Sequence, residues 1–375
     1  MQSLHAPVSH EACAALKARL LAWYGTARRS LPWRAIGGGP PDPWRVLVSE
    51  FMLQQTRVAT VAARFEDFLA RFPDAATLAA ASPDDVLHAW QGLGYYRRAR
   101  LLHACAGVIR DRHGGRVPDD IAALEALPGI GPYTAAAVAA IAFGRPVVPV
   151  DANVARVLAR LWAMETPLPR AMPEIRRRAA ALADRAHAAD LAQAWMELGA
   201  LVCRPRRPDC GRCPLAGSCR ARAHGTQTEI PVAPTKPVRP QRYGLVFLMR
   251  RRDGRILLRR RAGTGLLGGL VELPGTPWRE APPDGDPPPF PRPGRWRPLE
   301  GRVRHVFTHF TLDLDLWQGE VEAREEEPGW YSLEEMRALA LSSLTRKLLR
   351  HAGLRPPPAV RAARHPADDA AAGPG

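Results

Sequence analysis

The sequence predicts two domains of different class, an all-helical domain followed by an α/β domain. Apolar residues recur at helical spacing through the first 225 residues, and four closely spaced cysteines end that part of the chain. Beyond about residue 241, short apolar runs bounded by turn residues indicate strands. A chain of 375 residues has room for both domains. We place them at 1–225 and 242–355, with a linker at 226–241 and a disordered tail at 356–375.

Composition narrows the class of partner. The chain has 53 Lys and Arg against 37 Asp and Glu, a formal net charge of +16, which favours a polyanion such as nucleic acid, although an Arg-rich genome would also produce it. No apolar run reaches the ~18 residues of a membrane span, and the N-terminus lacks a signal-peptide pattern. We expect a cytoplasmic, nucleoid-associated protein with no membrane contact.

The first candidate catalytic residue lies on an early helix. Residues 1–30 read as a helix, and a Gly- and Pro-rich loop at 36–41 separates it from Asp42-Pro43, a typical helix start. The next predicted helix, 44–56, carries Glu50 among Val, Leu, Phe and Met side chains. A lone helical glutamate is usually solvated. A carboxyl among apolar neighbours instead has a raised pKa and keeps its proton near neutrality, as a general acid requires.

Three further helices, at 58–71, 83–90 and 97–113, lead to a second candidate site. The segment Leu127–Tyr133, LPGIGPY, contains two glycines that allow a tight turn and leave backbone N–H groups pointing outward at a helix N-terminus. Such a turn can bind a phosphate, although an ordinary loop between helices has the same composition. The residues after it, up to Phe143, are small and apolar all round, which predicts a helix buried on every side.

Asp151 follows this hairpin at the predicted start of another helix. Capping the helix is by itself a sufficient reason for an aspartate there. A capping carboxylate at this junction also lies near whatever the hairpin binds, so the two roles can coexist.

The four clustered cysteines indicate a metal centre. Cys203, Cys210, Cys213 and Cys219 have the spacing C-x6-C-x2-C-x5-C, whereas Cys13 and Cys105 are isolated. Four thiolates suit an iron–sulfur cluster, and zinc is the alternative. A zinc ribbon normally has two C-x2-C pairs, and this segment has one. Six arginines between 203 and 222 give the segment a positive charge suited to DNA phosphates.

The C-terminal part predicts strands at 243–250, 256–260, 303–310 and 311–318. The segment 264–275, TGLLGGLVELPG, is similar to the loop and strand that enter a Nudix fold. A Nudix hydrolase would continue with a helix that carries metal-binding carboxylates, but 277–298 contains nine prolines, which exclude a helix. We therefore expect a recognition domain and not a nucleotide hydrolase.

Together these motifs resemble the helix-hairpin-helix, iron–sulfur DNA glycosylases, and specifically adenine DNA glycosylases of the MutY type. The resemblance covers about Leu31 to Cys219 and extends more weakly into the C-terminal part. It implies a monomer that binds double-stranded DNA containing adenine opposite 8-oxoguanine or guanine, flips the adenine and hydrolyses its glycosidic bond. The metal centre would be a [4Fe–4S] cluster.

The resemblance also implies residue roles. Glu50 would be the general acid, and Asp151 would either stabilise the sugar cation electrostatically or trap it covalently, with Tyr133 and Asn153 holding the two carboxylates. The residues expected to touch DNA lie in the hairpin, the base pocket, the wedge and the C-terminal loop: Gly129, Gly131, Arg34, Gln193, Gln54, Tyr95, Phe307, Thr308 and His309. The family usually has Gly where this chain has Ala152. If that position needs a positive φ, we expect local strain.

Two rival functions share some of these motifs. A bifunctional pyrimidine glycosylase and lyase has the same hairpin and cluster, but needs a lysine for a Schiff base where this chain has Tyr133. A non-catalytic iron–sulfur DNA-binding protein would keep the hairpin and the cysteines and need neither Glu50 nor Asp151.

Overall fold

The structure is a computed structural model that describes residues 10–34, 41–232, 238–262, 265–283, 289–324 and 326–355. Most of the 36–41 loop and the predicted tail at 356–375 lie outside these ranges. Contacts between Cα atoms divide the chain into two compact units, and they group Ala81–Arg100 with the C-terminal part, which the sequence did not indicate. The first unit comprises Met1–Ala80 and Leu101–Lys236, and the second comprises Ala81–Arg100 and Pro237–Gly375.

The described helices, all but the last of which lie in the N-terminal part, confirm its predicted helical class. In chain order they are α1 His10–Ala27, α2 Pro43–Leu53, α3 Val58–Arg71, α4 Ala75–Ala80, α5 Pro83–Ala89, α6 Arg97–Arg112, α7 Ile121–Glu125, α8 Pro132–Phe143, α9 Ala152–Leu161, α10 Leu168–Ala180, α11 Ala188–Leu201, α12 Arg220–Ala223 and α13 Ser343–His351. The predicted helix 44–56 is wrong at its end. It stops at Leu53, because Gln54 leaves the helical conformation and Gln55 has φ +58°.

Two of these helices are the scaffold of the first unit. Residues Thr134–Ala142 of α8 are all buried, which confirms the prediction of a helix enclosed on every side. Asp151 caps α9 by accepting a 2.7 Å hydrogen bond from the Val154 amide, as predicted. Both α8 and α9 pack against α11, and α8 also packs against α2. Every helix that bears a candidate catalytic residue therefore belongs to one packed group.

The strands confirm the α/β class of the C-terminal part. They are β1 Gln241–Arg250, β2 Ile256–Leu257, β3 Arg259–Arg260, β4 Val271–Glu272, β5 Gly294–Val306, β6 Thr311–Val321 and β7 Trp330–Tyr331. A five-stranded sheet has the order β5-β6-β1-β2-β7, in which only β1 and β6 are parallel, and β3 pairs with β4. No helix forms in the described parts of 277–298, as the prolines predicted.

Two strand predictions differ from the structure. The predicted strand 256–260 is two short strands in separate sheets, β2 and β3. The strand predicted at 303–310 begins earlier, at Gly294, and ends at Val306, so residues 307–310 form the turn of the β5–β6 hairpin. Pro298 has no N–H to donate to a neighbouring strand. It is tolerated because β5 is an edge strand, and one side of an edge strand has no partner.

Side-chain and backbone contacts hold the segment Ala81–Arg100 within the second unit. Gln91 is buried; its amide donates to the Leu339 carbonyl at 2.7 Å and accepts from the Arg346 guanidinium at 3.0 Å. Arg260 forms a bidentate ion pair with Asp84 at 2.7 and 2.8 Å. Among all helices in the described part of the chain, none has the length and apolar character needed to cross a bilayer.

The two hairpin glycines differ in what a side chain would meet. Gly129 has φ +80°, and a Cβ there would lie 2.8 Å from Leu101 Cβ and 2.9 Å from Phe51 Cε1. Gly131 has φ −106°, and a Cβ there would meet nothing within 4 Å. Gly129 is therefore required by both conformation and packing, and Gly131 by neither.

We expect Gly129→Ala to lower the free energy of unfolding by about 2 kcal/mol or more, because it combines an unfavourable φ with overpacking. Gly131→Ala is the matched control and should be close to neutral. Urea denaturation of both variants measures the difference. Equal stability of the two would contradict this account of the hairpin.

Candidate active site

Two carboxylates and a tyrosine lie close together in the first unit. Glu50 on α2 is 5% exposed, and its side chain hydrogen-bonds Tyr133 at the start of α8. Burial raises the pKa of Glu50 to about 7; the Tyr133 hydrogen bond lowers it and the nearby charge of Asp151 raises it. Burial and the two carboxylates raise the pKa of Tyr133 well above its ordinary value, so it remains a neutral donor. With a pKa of about 7, Glu50 keeps its proton in about half of the molecules at neutral pH, so a proton is available there, as the sequence predicted.

Asp151 is held by both its oxygens. One oxygen accepts a hydrogen bond from the Val154 amide, and the other accepts one from Asn153 Nδ2 at 2.9 Å. Arg156 Nη2 in turn donates to Asn153 Oδ1 at 2.9 Å and to the Gly199 carbonyl at 2.8 Å. The carboxylate is therefore oriented by its own helix, with Asn153 in the predicted holding position. Ala152 is not among the described residues with positive φ, so the strain expected there is absent.

Helix α11 packs beside Tyr133 on α8 and Asn153 on α9. Met196 Sδ lies 3.5 Å from the Tyr133 hydroxyl. A Cβ on Gly199 would lie 2.7 Å from Asn153 Cβ, so only glycine allows α11 to approach α9 this closely. Helix α11 thus contacts Tyr133, which lies beside Glu50, and Asn153, which holds Asp151. These contacts support the placement of the two carboxylates.

Arg34 is anchored by a carboxylate that the sequence analysis missed. Glu197 on α11 is 1% exposed and accepts hydrogen bonds from Arg34 Nη2 at 3.0 Å and from Arg29 Nε and Nη2 at 2.8 and 2.7 Å. Burial alone would raise the pKa of Glu197, but these arginines lower it to about 2. Gln193, one turn earlier, is half-buried and donates to the Ala189 carbonyl at 3.2 Å.

The other predicted DNA contacts outside the C-terminal loop are exposed or lie next to a residue with positive φ. Tyr95 is 53% exposed, has φ +47° and lies under the Arg98 guanidinium at 5.6 Å. Gln54 is the half-buried C-cap of α2, next to the strained Gln55. Gly131 is the exposed N-cap of α8 and offers no side chain to the first-turn amides, which leaves them available to an anion.

The C-terminal loop presents two of its three predicted residues to solvent. Thr308 and His309 are exposed in the turn of the β5–β6 hairpin, whereas Phe307 is half-buried. The Thr308 hydroxyl lies 3.5 Å from the Tyr95 hydroxyl, within the same compact unit. The loop and the tyrosine that the sequence analysis assigned to DNA are therefore neighbours.

The four clustered cysteines lie at the end of the first unit. All four are half-buried free thiols, and Cys203, Cys210 and Cys219 are close enough to raise the pKa of Cys213, which burial raises most, to about 11. Four adjacent thiols are the donor set that an iron–sulfur cluster requires. Among the described residues, no three His, Cys, Asp or Glu side chains are placed to hold a single metal ion.

A buried arginine links this segment to helix α9. Arg160 on α9 is 1% exposed; its Nη1 donates to Cys203 Sγ at 3.3 Å and to the Arg204 carbonyl at 2.8 Å, and its Nη2 donates to the Pro205 carbonyl at 2.7 Å. The spacing of Arg156 and Arg160 on an otherwise apolar helix was the available signal, because a buried arginine needs several acceptors. Glu197 and Gly199 gave no comparable signal.

The fold and site together define a base excision DNA repair protein. A family model described as the HhH-GPD superfamily of base excision DNA repair proteins matches residues 48–182, one for the iron-sulfur binding domain of endonuclease III matches 203–219, and one for a NUDIX domain matches 245–351. A solved thermostable thymine-DNA glycosylase is 27% identical with a TM-score of 0.52, over 56% of this chain and 97% of that one.

Curated relatives give the particular family. The human adenine DNA glycosylase is 33% identical over 90% of this chain and 73% of its own length. That of Mycobacterium tuberculosis is 49% identical over 52% of this chain, and the match spans 64% of the relative's length. The chain belongs to the adenine DNA glycosylase family, which confirms the resemblance, and the 203–219 segment is an iron–sulfur binding domain.

The raised pKa of Glu50 makes stability depend on pH. The folded protein holds the Glu50 proton more tightly than the unfolded chain, whose pKa is 4.5. The contribution of Glu50 to the free energy of unfolding is therefore most favourable below pH 4.5. It is lost as the pH rises through 7. The two pKa values differ by an amount worth about 3 kcal/mol.

We expect Glu50→Gln to be more stable than the unaltered protein at pH 8, and this advantage to shrink by about 3 kcal/mol at pH 4.5. Urea denaturation at both pH values gives the difference, with the half-exposed Glu66 as a control through Glu66→Gln. An advantage of Glu50→Gln that did not change with pH would show that Glu50 titrates normally.

Proposed function

We propose that the protein is a monofunctional DNA glycosylase that removes adenine mispaired with 8-oxoguanine or guanine. The observation that carries the proposal is the buried Glu50, whose raised pKa keeps a proton available near neutrality and which shares one site with Tyr133 and an oriented Asp151. Membership of the adenine DNA glycosylase family supports the choice of base. The substrate would be a flipped nucleotide in duplex DNA, bound by a monomer in the bacterial cytoplasm at the nucleoid.

The chemistry follows from the two carboxyl groups. Glu50 donates its proton to N7 of adenine, the bond between N9 and C1′ breaks, and the bonding electrons leave with the base. Asp151 stabilises the positive charge that develops on the sugar. Water then adds to C1′, and its proton returns to the Glu50 carboxylate. Tyr133 keeps Glu50 in place, and Asn153 keeps Asp151 in place.

The structure favours this function over its rivals. A lyase needs an amine where this chain has the hydroxyl of Tyr133, whose raised pKa keeps it neutral. A purely DNA-binding protein has no use for a carboxyl whose burial reduces stability at neutral pH. Nucleotide hydrolysis needs a helix of metal-binding carboxylates, and the described parts of 277–298 contain no helix.

The cluster would be of the [4Fe–4S] type, held by the four cysteines. Tetrahedral zinc, with four Zn–S bonds of about 2.3 Å, is the alternative that the same four thiolates would allow. When bound, the cluster orders its loop and with it the arginines Arg204, Arg206, Arg207, Arg212, Arg220 and Arg222, which would contact DNA phosphates.

The central test uses duplexes that contain one A·8-oxoguanine, A·G or thymine-glycol site. The protein should release adenine from the first two, leave thymine glycol intact, and nick the strand only after alkali. Borohydride should trap no covalent complex. Glu50→Gln should lose at least about 10²-fold in single-turnover rate while binding the mispair normally, because the proton acts in the transition state. Prompt strand scission, or full activity of Glu50→Gln, would overturn the proposal.

A second test concerns the cluster. Cys213→Ser should lose iron and the visible absorption of thiolate-bound iron, and its affinity for duplex DNA should fall as the arginine-bearing loop loses its order. Cys13→Ser changes a cysteine outside the cluster and serves as the control. One zinc and no iron per chain in the purified protein would refute the [4Fe–4S] assignment.

A further inference from the structure

A tryptophan occupies the part of the C-terminal unit where a Nudix hydrolase would begin its metal-binding helix. Trp278 belongs to an extended segment that lies along β1. The backbones of Arg279 and Tyr243 exchange hydrogen bonds of 2.8 and 2.9 Å, and the Thr276 amide donates to the Leu245 carbonyl at 3.0 Å. These bonds fix the backbone on both sides of Trp278.

The indole packs closely against a glycine of β1. A Cβ on Gly244 would lie 3.0 Å from Trp278 Cδ1, so any larger residue would displace the ring. The Arg261 guanidinium lies over the ring, 5.0 Å from its centroid, and donates to Glu272 at 2.6 Å. The ring is therefore confined both by β1 and by an ion-paired arginine.

The confined ring supports the turn that carries Thr308 and His309. Trp278 stacks on Phe307, with a centroid distance of 5.7 Å and an interplanar angle of 30°, and it contacts Phe310 at 5.9 Å. The turn is closed by a 2.9 Å hydrogen bond from the Phe307 amide to the Phe310 carbonyl. Both aromatic ends of the turn thus rest on one tryptophan, while the two polar residues between them face solvent.

We propose that Trp278 is a positioning residue for recognition of the base opposite the excised adenine. It touches no substrate. It fixes Phe307 and thereby sets the direction in which Thr308 and His309 offer hydrogen bonds to an oxidised purine. This role rests on the proposed function, since it presupposes that these residues read 8-oxoguanine.

Trp296 provides a matched control. It stacks on Phe290 at 4.7 Å and packs with the apolar cluster on the other face of the sheet, whereas Trp278 packs against the first face. Both are half-buried tryptophans of the same unit, so general effects on folding should be similar. Only Trp278 contacts the recognition turn among the described aromatic contacts of these two residues.

The experiment measures single-turnover adenine release from A·8-oxoguanine and A·G duplexes by the full-length protein. Trp278→Ala should reduce the preference for A·8-oxoguanine roughly three- to ten-fold, the range expected for a lost aromatic pair, with the A·G rate unchanged. Trp278→Phe should restore part of the preference, and Trp296→Ala should retain all of it. Trp278→Leu keeps apolar volume without the flat ring, and replaces the alanine variant if that does not fold.

Full preference in Trp278→Ala or Trp278→Leu would overturn the inference and leave the proposed function intact. An equal loss of preference in Trp296→Ala would also overturn it, because the effect would then be general destabilisation. An unaltered protein that shows no preference between the two duplexes, or releases no adenine, would instead refute the proposed specificity itself, and the inference with it.

Discussion

The burial of the Glu50 carboxyl is the constraint on which the helical unit depends. Taking a carboxylate out of water is costly, and this cost raises the pKa of Glu50 so that part of the population keeps its proton at neutral pH. The same burial creates an acid that would be useless on the surface, where it would have lost its proton. The enclosed helix α8 supplies the apolar surroundings and, through Tyr133, a neutral hydrogen-bond donor. Burial of Glu50 thus lowers the stability of the protein and at the same time raises the pKa of its carboxyl.

Helix α9 connects this chemistry to the iron–sulfur domain. Its cap is Asp151, and Arg160 at its other end donates to Cys203 and to the carbonyls that follow it. Arg156, between them, bonds both Asn153 and the Cys203 carbonyl at 2.8 Å. Direct contacts through Arg156 therefore connect the cysteine loop to Asn153, the residue that orients Asp151. We expect the metal centre to support the active site as well as the DNA-binding arginines.

Much of this arrangement could be predicted from the sequence, because it rests on local patterns. Periodicity predicted the helices, Asp42 and Asp151 predicted helix starts, and the apolar neighbours of Glu50 predicted its raised pKa. The prolines of 277–298 predicted the absence of a helix in the described parts of that segment. In each case the signal that allowed the prediction lies in residues adjacent in the chain, although the pKa of Glu50 also depends on the distant Tyr133 and Asp151.

The parts that escaped prediction depend on contacts between distant residues. Glu197 meets Arg29 and Arg34 across more than 160 positions, and nothing in the sequence around Glu197 distinguishes it from a solvated glutamate. Gly199 is a glycine only because Asn153 packs against it. The β5–β6 turn was predicted as strand because Phe307 and Phe310 resemble strand residues, while their role is to rest on Trp278. Long-range packing has no local signature.

The most direct test of the central claim is the pH dependence of single-turnover adenine release. If Glu50 supplies the proton, the rate should be high below pH 7 and fall about tenfold per pH unit well above it, as the protonated fraction falls. Tyr133→Phe removes a hydrogen bond that lowers the pKa of Glu50, so its inflection should move to higher pH. A rate that stays constant from pH 5 to 9, or an inflection that Tyr133→Phe leaves unmoved, would contradict the account of Glu50 as the buried acid.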